Sequence, residues 1–167
     1  IAGLHDKSPA NIRSQIYKQG VLSSYEKDGS RMVFYTSKNQ RFSDTDKLKL
    51  QCNGSVFNIK DNKPLVISPL TYKSNIDQNI VNKHIKLYDI YKVNEGTVIN
   101  LYWWEPESRW IISTSRSYDL TDKKWSSLTY SEIIKEILKK NDIDDEKFYN
   151  SLDKHKSYTF GIKHPTM

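Results

Sequence analysis

The chain has 167 residues, of which 37% are hydrophobic and 12% aromatic, and its formal net charge is +6 at pH 7. This length corresponds to about one ordinary domain and is enough for a hydrophobic core, and the aromatic content argues against a disordered chain. No run of about 18 apolar residues occurs, so the sequence predicts no membrane-spanning helix. The single cysteine excludes an internal disulfide, and the four scattered histidines show no metal-ligand spacing.

The excess of basic residues has two interpretations. It indicates an anionic partner such as RNA, another nucleic acid or a nucleotide, or it is simply a lysine-rich surface. The polar N-terminus resembles no signal peptide and one cysteine suits a reducing compartment, which together predict a cytoplasmic protein. The missing initiator methionine and the abrupt C-terminus predict that residues 1–167 form a single domain that is a fragment or a processed piece of a longer protein.

The first third of the chain predicts a helix and a hairpin. Ser8-Pro9 has the form of an N-cap followed by proline at the first helical position, and Gly20 is a typical stop. Residues 21–25 and 31–36 are β-prone and flank a turn that contains Asp28-Gly29. Both residue patterns predict regular structure from residue 8 onward.

The next segments predict a second hairpin and a less regular connection. Residues 48–59 and 64–68 flank a polar turn at 60–63. Residues 75–83 are polar and predict a loop or a short helix.

The rest of the chain predicts three consecutive strands, two helices and a final strand. The strands cover residues 85–92, 97–104 and 109–115, with a turn at 105–108. Thr129 and Glu132 form a capping box at the start of an amphipathic helix. A second helix is predicted at 144–152, opened by a group of acidic residues that favours a helix start over a metal site, and a strand at 158–162. This order predicts one α+β domain with a mainly antiparallel sheet and flanking helices.

The segment from Lys92 to Thr97 is the strongest candidate for chemistry. Lys92 and the acid–glycine pair Glu95-Gly96 stand at the start of an apolar, β-prone run. A lysine becomes nucleophilic when burial or nearby cations depress its pKa, and a glycine lets the backbone approach phosphate closely. The alternative is a plain turn or bulge in which Gly96 has a positive φ.

Two further groups have both functional and structural interpretations. Trp103, Trp104 and Trp110 are typical of sheet core and cross-strand packing, and less so of a base-stacking platform. Ser113 and Arg116 end a predicted strand with a hydroxyl and a guanidinium, which suits phosphate. Alternatively, Arg116 pairs with Asp119 or Asp122 at the surface.

Four segments together resemble the phage-type RNA ligase branch of the covalent nucleotidyltransferases, in particular divergent relatives in large DNA viruses. Residues 52–58, with Asn53 before Gly54, resemble the strand that bears Cys/Ala-Arg-Gly in that family. Residues 95–99 resemble the Asp-Gly-Ser half of its lysine motif, and residues 110–116 resemble the next pocket strand. Residues 157–165 resemble a downstream strand that ends in His-Pro. The resemblance implies a partial nucleotidyltransferase domain with Asn53, Glu95, Gly96, Ser113 and Arg116 as nucleotide-binding residues.

Several positions depart from the family pattern. Asn53 replaces the family's arginine, Val93 stands where the catalytic lysine is expected, and Gly161 replaces an acid. In active members the lysine attacks the α-phosphate of ATP, AMP passes to a 5′-phosphorylated RNA end, and Mg²⁺ offsets the phosphate charge. These departures indicate an inactive enzyme, a pseudoenzyme, unless Lys92 takes over the missing role.

Three hypotheses follow. The first is a catalytically degenerate RNA-ligase-like domain that binds nucleic acid or acts as a scaffold with viral protein partners, in a virion or in the host cytoplasm. The second is an active, ATP- and Mg²⁺-dependent RNA ligase piece with Lys92 as its nucleophile. The third is a purely structural interaction module without a ligand.

Overall fold

A computed structural model describes residues 8–35, 52–61, 63–67, 78–83, 86 and 96–163. The N-terminal elements are α1 (Pro9–Tyr17), β1 (Leu22–Tyr25), β2 (Arg31–Tyr35), β3 (Ser55–Asn58), β4 (Lys63–Val66) and α2 (Gln78–Lys83). They are followed by β5 (Thr97–Trp104), β6 (Arg109–Ser113), β7 (Lys124–Trp125) and β8 (Leu128–Thr129). The last elements are α3 (Tyr130–Lys140), α4 (Asp145–Ser151) and β9 (Tyr158–Ile162).

The first sheet has the order β1-β2-β3-β4, and each neighbouring pair is antiparallel. Its first hairpin confirms the predicted turn, in which Gly29 has φ 72° and a Cβ at Gly29 would lie 2.6 Å from Pro9 Cγ. The predicted N-cap is also confirmed, because Ser8 Oγ accepts a hydrogen bond from the Asn11 N–H at 3.4 Å. The hairpin turn therefore packs against the first residue of α1.

The second hairpin, β3–β4, is confirmed but its first strand is shorter than predicted. The strand begins at Ser55, and Cys52 to Gly54 precede it as a helical and turn segment. Gly54 has φ 86°, which interrupts an extended strand, and its N–H donates to Phe34 O at 2.7 Å. Residues 48–51 of the predicted strand lie outside the described residues.

The second sheet has the order β6-β5-β9 and is also antiparallel. The predicted strands at 97–104 and 158–162 are confirmed with the same bounds. The strand predicted at 109–115 ends at Ser113, because Thr114 and Ser117 close a tight turn. The turn at 105–108 contains a 3-10 helix over Glu105–Glu107.

Other predictions fall partly outside the described residues. Of the strand predicted at 85–92, only Lys86 is among the described residues, and it lies in a 3-10 turn. In the polar segment 75–83 the helical option is confirmed by α2.

Both predicted C-terminal helices are confirmed. Thr129 and Glu132 form the expected capping box at α3. Asp144 caps α4 by accepting from the Lys147 N–H at 2.8 Å, which supports the helix-start interpretation of the acidic group. The apolar side of α3 covers one face of the second sheet and forms a core with it. The buried residues of this core are Ile99, Leu101, Ile112, Tyr130, Ile133, Ile134, Leu138 and Ile162.

The other face of the second sheet, here called the inner face, packs against the first sheet. Tyr102, Trp104 and Ile111 contact Val33, Val56 and Val66 in a second buried core. The protein is therefore α+β with mainly antiparallel sheets, as predicted.

Candidate functional site

Three polar residues stand side by side on the inner face and are here called the polar row: Asn100, Ser113 and Thr159. Asn100 stands opposite Ser113 in one register and opposite Thr159 in the other. Thr159 Oγ1 donates a hydrogen bond to Asn100 Oδ1 at 2.8 Å. Because successive strand residues face opposite sides, the polar row shares the inner face with Tyr102. The polar row therefore lies on the inner face next to the apolar core between the two sheets.

Ser113 is the most constrained member of the polar row. It is 0% exposed, and its Oγ has no hydrogen-bond partner in the described part of the chain. A buried hydroxyl without a partner costs about 1–3 kcal/mol. Ser113 Oγ is thus a buried polar atom whose hydrogen-bonding capacity is unused within the described residues.

Beyond the polar row the inner face becomes open. Val98 is 53% exposed, and it stands opposite Gly161 in the β5–β9 register. A Cβ at Gly161 would meet no atom within 4 Å. The inner face is therefore exposed at Val98, on the same face as Ser113 and toward the Gly96 end of β5.

Arg116 lies in the tight turn that follows β6. The Thr114 N–H donates to Ser117 O at 3.0 Å, so Ser115 and Arg116 form the tip of the turn. Arg116 is exposed, and no hydrogen bond or ion pair within the described residues holds its guanidinium. The turn therefore presents, three residues after Ser113, a cation without a partner in the described part of the chain.

The alternative pairing of Arg116 with Asp119 or Asp122 is not found. Arg109 binds both carboxylates instead, with Nη2 3.2 Å from Asp119 Oδ2 and Nη1 3.0 Å from Asp122 Oδ2. Arg109 Nε also lies 2.6 Å from Glu107 Oε2. Arg109, the first residue of β6, binds these acids. Within the described residues none of them pairs with Arg116, so Arg116 can bind an external anion.

Gly96 is constrained by packing, and the expected positive φ is not found. The described glycines with positive φ are Gly20, Gly29 and Gly54. A Cβ at Gly96 would lie 2.7 Å from the backbone oxygen of Ile162, which is closer than a Cβ atom tolerates. Glycine is needed here because β9 approaches β5 closely at this end.

The other predicted site residues are only partly placed. Lys92 and Glu95 lie outside the described residues, so the nucleophile hypothesis stays a prediction. Asn53 is half-buried before β3 in the first sheet. Ser113, Gly96 and Arg116 all belong to the second sheet or its connections.

The tryptophans are confirmed as core and cross-strand residues. Trp104 is 5% exposed in the core between the sheets. Trp103 and Trp110 are opposite each other in the β5–β6 register, with ring centroids 5.6 Å apart in an edge-to-face arrangement.

The sequence analysis missed a charge cluster around Arg31. Arg31 is 2% exposed and pairs with Glu26 through two bonds, Nε to Oε2 at 2.7 Å and Nη2 to Oε1 at 2.6 Å. Its other contacts are Asp119 at 3.5 Å and Glu107 at 3.5 Å. The guanidinium also lies over the Trp104 ring, 4.9 Å from the centroid. Arg31 therefore ties the first hairpin to the second sheet.

Burial and hydrogen bonding act on Arg31 in opposite directions. Burial by itself lowers the pKa of Arg31, but the hydrogen bonds to Glu26 and the contact with Tyr102 raise the pKa above its ordinary value. Burial raises the pKa of Tyr102, so its hydroxyl stays protonated and donates to Tyr118 O at 2.8 Å. The opposite charges of Glu26 and Arg31 at the two ends of the Asp-Gly turn were the available sequence signal.

The described residues were also compared with the requirements of a metal site and of a membrane-spanning helix. Within the ranges that the structure describes, no group of three or more His, Cys, Asp or Glu side chains is arranged to hold a metal ion. No helix in the described part of the chain is long and apolar enough to span a bilayer.

Comparison with known proteins finds similar sequences in African swine fever virus. A protein named "Putative RNA-ligase" from isolate Tick/Malawi/Lil 20-1/1983 is 26% identical over 133 residues, which cover 70% of this chain and 30% of that protein. Its namesake from isolate Pig/Kenya/KEN-50/1950 is 25% identical over 133 residues with the same coverage. The namesake from isolate Tick/South Africa/Pretoriuskop Pr4/1996 is 26% identical over the same length.

These relatives are distant and longer than this chain. The matched segment spans about 30% of their length. No family model matches the chain, and no solved structure matches it. The similarity supports an RNA-ligase-like relationship, in agreement with the resemblance in the sequence motifs.

Proposed function

We propose that this chain is an RNA-ligase-like domain that binds nucleic-acid phosphates at the Gly96 end of the inner face and does not form a lysine–AMP intermediate. Arg116 provides the exposed cation for phosphate, and Ser113 provides a hydroxyl that lacks a partner in the described residues.

The observation that carries the proposal is the guanidinium of Arg116, which is exposed and has no partner among the described residues. Four carboxylates lie in the segments that flank β6; Arg109 binds Glu107, Asp119 and Asp122, and Glu105 accepts a hydrogen bond from the Trp103 indole. A planar guanidinium at the tip of a tight turn can hold a phosphate through two parallel hydrogen bonds. A net charge of +6 favours the approach of RNA to the protein as a whole.

The identity of residue 93 argues against catalysis. Adenylation needs a lysine amine that reaches the α-phosphate, and Val93 stands at the place where the family has this lysine. Lys92 is displaced by one residue, and along a strand such a displacement turns a side chain to the opposite face. The active-ligase alternative requires an altered backbone at Lys92.

The test for catalysis is the intact mass of the protein after incubation with ATP and Mg²⁺. We expect no gain of mass. A gain of one AMP that disappears in Lys92→Ala would overturn this part of the proposal and select the active RNA ligase.

The test for binding is a fluorescence-anisotropy titration of a 5′-phosphorylated RNA oligonucleotide at several salt concentrations. Arg116→Ala should weaken binding for all RNA sequences alike and flatten the salt slope by about one unit, because one phosphate contact and its counterion release are lost. Arg13→Ala removes an exposed arginine from α1 and is the matched control, for which we expect unchanged binding.

The scaffold alternative predicts a different result in the same titration. Wild-type protein and Arg116→Ala would then show equal, weak RNA affinity and equal salt slopes. That outcome would contradict phosphate binding at Arg116 and favour a role through viral protein partners. Residence in a virion or in the host cytoplasm belongs to this proposal, and the viral origin of the relatives supports it.

A further inference from the structure

The β7–β8 hairpin and the residue before it carry an exposed tryptophan and two exposed lysines. Trp125 is 39% exposed, and Lys123, Lys124 and the tip residues Ser126 and Ser127 are exposed as well. The hairpin pairs Lys124 with Thr129 and Trp125 with Leu128. Ser126 has φ 62°, the left-handed conformation of a tight hairpin turn.

The base of the hairpin is anchored firmly to its neighbours. The Lys123 N–H donates to Leu120 O at 3.0 Å, and the Tyr130 N–H donates to Lys123 O at 3.1 Å. The Trp125 ring meets the Tyr130 ring edge-on, with centroids 6.0 Å apart and planes at 81°. Tyr130 is 5% exposed and belongs to the α3 core. The indole is therefore held in place while a part of its surface stays open to solvent.

The charges at the hairpin favour an anionic partner. Within the described residues neither Lys123 nor Lys124 forms an ion pair. Glu132 is the nearby carboxylate, but it accepts hydrogen bonds from the Thr129 N–H at 2.6 Å and the Thr129 hydroxyl at 2.8 Å. Asp122 is bound by Arg109 at 3.0 Å. Lys124 is attracted by the Glu132 charge without forming an ion pair with it, and both lysines are exposed, so both can reach phosphate.

We infer that this hairpin is a contact for single-stranded RNA, in which one unpaired base stacks on Trp125 and Lys123 and Lys124 bind the flanking phosphates. Stacking of bases on aromatic side chains beside cations is the general mode of single-strand recognition, and it needs no particular sequence. Double-stranded RNA does not offer a free base face to such a hairpin. The inference rests on the proposed function, since it adds a base contact to the phosphate contact of Arg116.

The experiment compares two fluorescently labelled oligonucleotides of equal length, an oligouridylate and the same backbone with abasic residues. Trp125→Ala should weaken binding of the oligouridylate roughly tenfold and leave binding of the abasic strand unchanged. Trp125→Phe should keep most of the affinity, because a phenyl ring also stacks. Lys123→Ala with Lys124→Ala should weaken both strands and flatten the salt slope.

Tyr17→Ala is the matched control, since Tyr17 is an aromatic residue on α1 that is 65% exposed. We expect this variant to bind both strands as wild type does. Circular dichroism of each variant checks that the fold is kept. Wild-type affinity for the oligouridylate in Trp125→Ala, or an equal loss on both strands, would overturn the inference.

A third arm uses vesicles of anionic phospholipid, because an exposed tryptophan between lysines can also enter a membrane interface. Vesicle binding that depends on Trp125, with no dependence in the RNA arm, would overturn the RNA assignment. Absence of any RNA binding would refute the proposed function itself. RNA binding that depends on Arg116 and not on Trp125 would refute only the hairpin contact.

Discussion

Two arginines, Arg31 and Arg116, differ in burial and in ion pairing although they have the same side chain. Arg31 is 2% exposed and is surrounded by the carboxylates of Glu26, Glu107 and Asp119. Arg116 is exposed on a turn, and no carboxylate within the described residues binds it. Arg31 follows the turn of the first hairpin, and Arg116 follows the end of β6. Each arginine therefore lies next to a turn, and sequence position alone does not distinguish their roles.

The difference teaches which cation holds the fold and which is available for a partner. A buried guanidinium needs partners for its donors, and once they are present it is committed to the structure. An exposed and unpaired guanidinium adds little to stability and is open to an external anion. The Arg31 end of the molecule is therefore structural, and the Arg116 end is the candidate for function.

The largest expected effect is the loss of Arg31. Arg31→Ala should lower the free energy of unfolding by about 3 kcal/mol, because it leaves carboxylates at the sheet interface without their partner. Arg116→Ala should change the free energy of unfolding by less than about 0.5 kcal/mol. Urea denaturation of both variants measures the contrast.

Arg31→Lys separates charge from geometry in the same experiment. Lysine keeps the charge but cannot reproduce the two parallel bonds to Glu26, so we expect a loss close to that of Arg31→Ala. Equal urea midpoints for the Arg31 and Arg116 variants would contradict the distinction between the two ends.

The next largest effect on stability concerns two glycines at the Arg116 end. Gly96→Ala should destabilise the protein by about 1–3 kcal/mol, because a Cβ would press on the Ile162 carbonyl and force the backbone to shift. Gly161→Ala, in the facing strand, should be tolerated since its Cβ meets open space. Thermal unfolding followed by circular dichroism compares them, and a melting temperature for Gly96→Ala equal to that of Gly161→Ala would refute the close approach.

A smaller effect of opposite sign is expected at Ser113. Ser113→Ala removes a buried hydroxyl that has no partner in the described residues, so it should raise the free energy of unfolding by up to about 1 kcal/mol. The same variant should bind RNA more weakly if the hydroxyl meets a ligand. Ser23→Ala removes the comparable hydroxyl of β1 and should be stabilising without an effect on binding. A loss of stability in Ser113→Ala would show that the hydroxyl already has a partner.

The smallest effect is an acid dependence at the Arg31 end. The hydrogen bond from the Ser30 hydroxyl, at 2.6 Å, is the main reason that the pKa of Asp28 is lowered to about 2. A carboxyl with a lowered pKa stabilises the fold above its unfolded value of about 4, and this stability is lost as pH falls toward about 2.

Asp28→Asn should therefore melt below wild type at pH 5, and the two melting temperatures should converge near pH 2. Thermal unfolding across this pH range measures the convergence. A difference that stays constant across the range would contradict the assigned shift.

Local sequence patterns predicted most of the elements correctly. The Ser8 cap, the Asp-Gly turn and the Thr129 capping box use bonds between residues close in the chain, so they are visible without a tertiary structure. The strands at 97–104 and 158–162 were equally clear from their apolar and β-branched residues. The strand predicted at 48–59 was too long, because the pattern did not reveal the positive φ of Gly54.

The candidate site was predicted only in part. Ser113 and Arg116 were selected by residue type, but their burial and pairing depend on which acids reach them in space. Arg31 was missed because three of its contacts, with Tyr102, Glu107 and Asp119, come from residues 71, 76 and 88 positions away. Residue type indicates what a side chain can do, and distant partners decide whether it is free to do it.

The sequence by itself determined the α+β class, the caps and turns, and the chemical types at the ends of β5 and β6, since these depend on local hydrogen bonds and on hydrophobic periodicity. Only the tertiary structure decided that Gly96 is required by the nearby Ile162 carbonyl and that Arg109 takes the acids expected for Arg116. The physical reason is that packing and ion pairing are settled by distances between strands, and a linear pattern does not contain those distances.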